Sequence, residues 1–105
     1  MPTIDLAVLT GGKVRNLTGH ERGLMARQEF GLDAMDEAGE PVDVQIPPNL
    51  EGITTSFFQG MFAKSVRTAG QDFLDLYRFH ASPSVMEQIM RGIDRVNTKR
   101  GSALS

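Results

Sequence analysis

The sequence predicts one α/β domain: a sandwich with a mainly parallel four-stranded sheet covered by about three helices. Three observations lead there. Val42-Asp43-Val44-Gln45-Ile46 alternates apolar and polar residues strictly, the period of a strand with one buried face. Phe57, Phe58, Met61, Phe62, Val66 and Ala69 fall on one stripe of a helix, and Val85, Met86, Ile89, Met90, Ile93 and Val96 fall on another. Strand and helix patterns take turns along a chain of 105 residues, the arrangement that packs crossover helices onto a parallel sheet in a single domain.

The elements follow in order. Ile4-Asp5-Leu6-Ala7-Val8-Leu9 reads as a first strand, and Gly11-Gly12 as a turn that returns Val14-Arg15-Asn16-Leu17 as its hairpin partner. The glycine pair has neither the Lys-Ser/Thr ending of a phosphate loop nor the third glycine of a dinucleotide fingerprint. Thr18-Gly19-His20-Glu21 has the spacing of a capping box and predicts a helix to about Phe30, lying on the surface of the sheet with a thin apolar face of Leu24, Met25 and Phe30. The polar run from Asp33 to Glu40 reads as a solvated linker or frayed helix end, because its acids lack the spacing of a calcium loop.

Pro47-Pro48 ends the Val42–Ile46 strand, since neither residue can donate to a ladder. A loop over 49–53 leads to Thr54, Thr55 and Ser56, each a plausible N-cap for the helix that Gly70 stops. Phe73 to Phe79 is the most apolar strand candidate and is expected near the centre of the sheet. Ser82-Pro83 opens a last helix, expected to end near Asn97, with 98–105 as a loose tail beyond a domain of residues 1–97.

Composition excludes several classes of function. There is no cysteine, hence no disulfide, thiolate zinc site or cysteine nucleophile. No apolar run approaches the length of a membrane span, and the first residues lack the basic and apolar segments of a signal peptide, so a cytoplasmic protein without a membrane partner is expected. A net charge of −2 gives no general case for nucleic acid. Arg91, Arg95, Lys99 and Arg100 follow helical spacing and are able to touch phosphate, yet Glu87 and Asp94 interrupt that face and no aromatics are interleaved for stacking, so a solvated helix face is the expectation. His20 and His80 are the only histidines; without further ligands they make no metal site, and no Gly-x-Ser-x-Gly elbow accompanies Ser56. No catalytic residue, metal or cofactor is assigned.

The informative stretch is Val42-Asp-Val-Gln-Ile-Pro-Pro-Asn-Leu-Glu-Gly-Ile-Thr-Thr-Ser-Phe-Phe, residues 42–58. A strand, a short loop ending in Ile53, a hydroxyl cluster and an amphipathic helix resemble the STAS domain, and more closely the STAS-like branch of bacterial domains. The resemblance spans residues 4–97 and is sharpest over Ile53–Phe62. It implies a β/α sandwich related to the anti-sigma-factor antagonists, in which a Ser or Thr at this helix start is phosphorylated by a partner kinase. Matching the string places Thr55 at the phospho-acceptor position, with Thr54 before it and Ser56 after it. Relatives commonly carry an acidic residue where this chain has Gln45, and often another where it has Thr54. The partner implied is a histidine-kinase-like ATPase or an anti-sigma protein, meeting Pro48, Asn49, Glu51, Phe58 and Gln59.

Independently of any family, a helix N-terminus offers unpaired N–H groups and the positive end of its dipole. It tolerates a phosphoryl group on a first-turn hydroxyl. Two expectations follow: a non-enzymatic regulatory module switched at residues 54–56, or a small enzyme or ligand-binding protein that holds an anionic metabolite at the same helix start. No acid–base set accompanies residues 47–56 except Glu51, which favours the first.

Overall fold

A computed structural model describes the backbone of residues 2–11 and 13–104, with side chains through residue 98. Its sheet is built from β1 (Thr3–Asp5), β3 (Val42–Gln45) and β5 (Tyr77–His80), all parallel, with β3 in the middle. A separate parallel pair joins β2 (Asn16–Leu17) to β4 (Gly52–Ile53). The α/β class, the parallel pairing and the single domain follow the sequence pattern. The single four-stranded sheet does not form: the described strands divide into a sheet of three and a sheet of two.

The sequence pattern and the fold part company first at the N-terminus. Asp5 ends β1 because its carboxylate accepts from the Ala7 N–H at 2.9 Å and starts a short helix, α1 (Ala7–Thr10). Gly11 closes that helix with φ 55°, and Gly12 lies outside the described residues. The expected hairpin is therefore replaced by a parallel ladder between β2 and the distant β4, within the stretch expected to be loop.

The second helix, α2 (His20–Phe30), has the predicted length, but Gly19 rather than Thr18 stands at its N-cap, at φ 92°, and the capping box is not made. Its buried residues are Gly23, Ala26 and Arg27, whereas Leu24 and Met25 are exposed. The reason is its partner, which is not the sheet but α4 (Thr55–Ala69). Gly23 meets Gly60 where the two helices cross: a Cβ on Gly23 would run into the Phe57 carbonyl oxygen, and one on Gly60 into that of His20. Such backbone-to-backbone contact leaves no room for side chains at the crossing.

The acidic run from Asp33 to Glu40 is mostly a helix, α3 (Leu32–Ala38), not a solvated linker. Its Asp36 joins a polar network beneath the surface. Arg27 donates to Asp36 at 2.5 Å, to Asp33 at 2.8 Å, to the Met61 carbonyl at 2.9 Å and to Ser65 at 2.9 Å. Ser65 and Tyr77 donate to Asp36 at 2.9 and 2.6 Å. The network ties α2, α3, α4 and β5 together with every buried side-chain polar atom partnered among the described residues.

The longest apolar strand candidate also splits. Gly70–Asp72 forms a 3₁₀ turn, Phe73–Leu76 forms α5, and only Tyr77–His80 is strand, at the edge of the sheet and not its centre. Phe73, Tyr77 and Phe79 instead build an aromatic cluster with Phe58 and Phe62, at centroid separations of 5.3 to 6.5 Å. The last helix, α6 (Pro83–Leu104), starts as expected, with Ser82 Oγ accepting from the Val85 N–H at 3.4 Å. It runs to Leu104 and not to Asn97, because no glycine or proline follows Asn97 until Gly101. Gly92 lets α6 settle on the Phe58 ring.

In register, Ile4, Val44 and Phe79 share one face of the three-stranded sheet, and Val42 and Tyr77 lie on it too. That face is packed into the core. Thr3, Asp5, Gln45, Arg78 and His80 share the opposite face and are exposed, with Asp43 half-buried among them and bonded to His80 at 2.9 Å.

Candidate functional site

The start of α4 is held from three sides. Ile46 and Leu50 are buried and anchor the two ends of the Pro47-Pro48-Asn49 turn. The Glu51 and Gly52 N–H groups donate to the Arg15 carbonyl at 2.7 and 3.2 Å, and the Thr54 N–H donates to that of Leu17 at 2.9 Å. From α6, Gln88 Oε1 accepts from the Ile53 N–H at 2.6 Å. Gly52 lets both side chains approach: a Cβ would stand 2.6 Å from Asn16 Oδ1, which would have to turn aside, and 3.4 Å from Gln88 Oε1.

The three hydroxyls are not equivalent. Thr54 has extended backbone, φ −76° and ψ 155°, and its Oγ1 accepts from the Phe57 N–H at 3.2 Å, so Thr54 is the N-cap. Ser56 is exposed, with Oγ 3.2 Å from Thr54 Oγ1. Thr55 is the first helical residue and half-buried, and its hydroxyl has no hydrogen-bond partner among the described residues. It stands at the positive end of a 15-residue helix.

Thr54 and Thr55 line a cleft of about 360 Å³ whose other walls are Asn16 from β2, Gly52–Ile53 from β4, and Gln88 and Arg91 from α6. Arg91 is the one charged residue on that lining among the described residues, and it pairs with Glu87 at 2.7 Å one turn away. The exposed Arg91–Glu87 pair is worth little and is readily exchanged for a competing anion. The cleft is thus suited to an anionic group: helix N–H groups on one side and a guanidinium on the other.

The residues expected on a partner surface separate into three sets. Pro48, Asn49 and Glu51 are exposed beside the hydroxyls, with Glu51 loosely paired to Arg15 at 3.5 Å. Phe58 is not part of any surface: it is fully buried, stacked near Phe62 and pressed against Gly92. It belongs to the core because the apolar stripe of α4 is two residues wide at its first turn. Gln59 is half-buried and turns to the other side of α4, into a cleft shared with His20 and Gly60. His20 and His80 are not brought together: His80 is bonded to Asp43 on the open sheet face and His20 lies beside α4. Among the described residues no group of three or more His, Asp or Glu is arranged to hold a metal ion.

Asn16 and Gln88 join the site without belonging to any motif in the sequence. Gln88 and Arg91 lie three positions apart on one face of a helix, which is the signal that joins them. Nothing in the sequence announces the parallel β2–β4 ladder that delivers Asn16.

No family model, curated protein or solved structure matches the chain. No described helix is long and apolar enough to cross a membrane.

Proposed function

We propose that the protein is a non-enzymatic regulatory module of the STAS-like kind, switched by phosphorylation of Thr55 and acting on a protein partner in the cytoplasm. One observation carries this reading. Capping is done by Thr54, which leaves the Thr55 hydroxyl with no structural duty at a half-exposed position on the cleft that Arg91 lines. A phosphoryl group there adds about −1.5 to −2 of charge and three acceptor oxygens within the field of the helix dipole. The helix keeps its cap and its shape, and the surface formed by Pro48, Asn49, Glu51 and Ser56 becomes more negative. A partner that docks on that surface is then released by repulsion and without refolding. The resemblance over residues 42–58 suggests the partner class, a histidine-kinase-like ATPase or an anti-sigma protein. The exposure of Pro48, Asn49 and Glu51 beside the hydroxyls supports a docking role.

The cleft volume of about 360 Å³ and Arg91 favour one second reading, a small anionic metabolite held at the same helix start by a binding protein or enzyme. The two are separated by mapping phosphate on the purified protein after incubation with ATP and a lysate of its own host. Phosphate on Thr55, together with loss of partner capture in Thr55→Asp at unchanged fold, is the expected result. An unmodified 54–56 segment beside an active kinase control, or undiminished capture by Thr55→Asp, overturns the switch and leaves the metabolite reading.

A further inference from the structure

On the far side of α4 from this cleft, α2, α4 and α6 enclose a second cavity of about 240 Å³. Its polar lining is cationic or neutral. His20 comes from the first turn of α2, and Gln59, Lys64 and Arg67 come from successive turns of α4. No carboxylate lines it among the described residues, although the chain as a whole has more acids than bases. Local charge of that sign against the overall balance marks a place where an anion is drawn in.

The partners of these groups sharpen the point. His20, Gln59 and Arg67 make no side-chain hydrogen bond or ion pair among the described residues, so the fold does not use them. Lys64 meets only Asp33, at 3.2 Å, in a pair with both side chains about two-thirds exposed. Arg27 is by contrast fully engaged with Asp33, Asp36, Ser65 and the Met61 carbonyl, so its charge is balanced and the unpaired cation of the lining is Arg67. The floor is small, Gly60 and Ala63, and the apolar walls are Leu24 and Val96. The exposure of Leu24 on α2, unexplained by packing, fits a wall that a ligand covers.

We propose that this cavity binds a small phosphorylated molecule, with the phosphate held by Arg67, Lys64 and His20 and a short apolar body lying against Leu24. A dianion suits three cation-capable donors better than a monocarboxylate does, and the fork of Arg67 matches phosphate oxygens bidentately. The volume of about 240 Å³ suits a body of a few carbon atoms or a single ring. The site is independent of the phosphorylation of Thr55.

The test is a titration of the purified protein with inorganic phosphate, phenyl phosphate and benzoate at constant ionic strength, followed by amide chemical shifts. Saturable shifts confined to His20, Gln59, Ala63 and Arg67 are expected, strongest with phenyl phosphate and weakest with benzoate. Arg67→Gln, a substitution at an exposed position, should weaken binding about tenfold or more, and His20→Ala should weaken it too, while Arg95→Gln on the outer face of α6 should leave it unchanged. Shifts scattered over all surface cations, equal response to benzoate, or unchanged binding in both Arg67→Gln and His20→Ala would overturn the assignment.

Discussion

Thr54 and Thr55 are chemically identical neighbours with different duties, and the difference can be measured. Thr54 satisfies one of the orphan N–H groups of α4, so Thr54→Ala should lower stability by about 1 kcal/mol in urea denaturation. Thr55→Ala should change it by no more than about 0.5 kcal/mol, because no hydrogen bond is lost. Equal losses from the two substitutions would mean that the cap is shared and that Thr55 is not free for modification. Which of three adjacent hydroxyls caps the helix was open in the sequence: all three are good caps, and only the backbone turn at Thr54 decides. Arg27 and Asp36 were less legible still. A lone arginine on a weakly amphipathic helix and an acid in a polar run both look like solvent-facing residues. They become partners, Arg27 buried and Asp36 half-buried, only when α3 folds back beside α4, bringing Asp36 to Ser65 at 2.9 Å.

Among the elements, α4 and α6 were legible because each carries an uninterrupted apolar stripe with a strong start signal. The helix α2 was placed correctly along the chain but on the wrong neighbour. Its apolar side chains suggested a surface helix, while what it buries is a glycine, and a glycine's use in close approach leaves no hydrophobic trace in a sequence. The crossing at Gly23 and Gly60 predicts that Gly23→Ala will be destabilised by about 1–3 kcal/mol, the range for forcing extra volume into a packed contact. That is opposite in sign to the gain alanine normally brings inside a helix. A Gly23→Ala protein with wild-type denaturation midpoint would show that the helices stand farther apart than described. The strand expected over Val42–Ile46 forms as β3, whereas those expected over Ile4–Leu9 and Phe73–Phe79 each split into strand and helix for a shared reason. Short apolar runs such as Phe73–Phe79 satisfy a strand and a buried helical turn alike, and here the aromatic cluster chose helix for the first half and strand for the second.

At the scale of the whole molecule, stability should depend on pH at both ends. Hydrogen bonds from Arg27 and Lys64 hold the Asp33 carboxyl below its ordinary value. Its contribution is therefore present above about pH 4 and lost as pH falls further. Burial first, and then the hydrogen bond to Asp36, push the Tyr77 hydroxyl well above its ordinary value. The folded state keeps that hydroxyl neutral where the unfolded chain ionises it, so its contribution is full below about pH 10 and lost above. Tyr77 is the only tyrosine in the sequence, so phenolate absorbance reports it directly. It should appear together with unfolding, and the alkaline loss should vanish in Tyr77→Phe. Phenolate forming while the fold persists would place Tyr77 in contact with water.

The pairing of the strands has a consequence in time. Thr3 meets Asp43, Asn16 meets Gly52 and Val42 meets Tyr77, so every described ladder closes a loop of roughly 35–40 residues before its first hydrogen bond is made. No local hairpin among the described residues is available to seed either sheet. The expected order of folding is therefore helices first, gathered by the α2–α4 crossing and the aromatic cluster, and strands last. A domain of this size built on distant pairings belongs with the slower folders for its length. Until β3 docks between its two neighbours, both of its edges stand open to any other nascent chain.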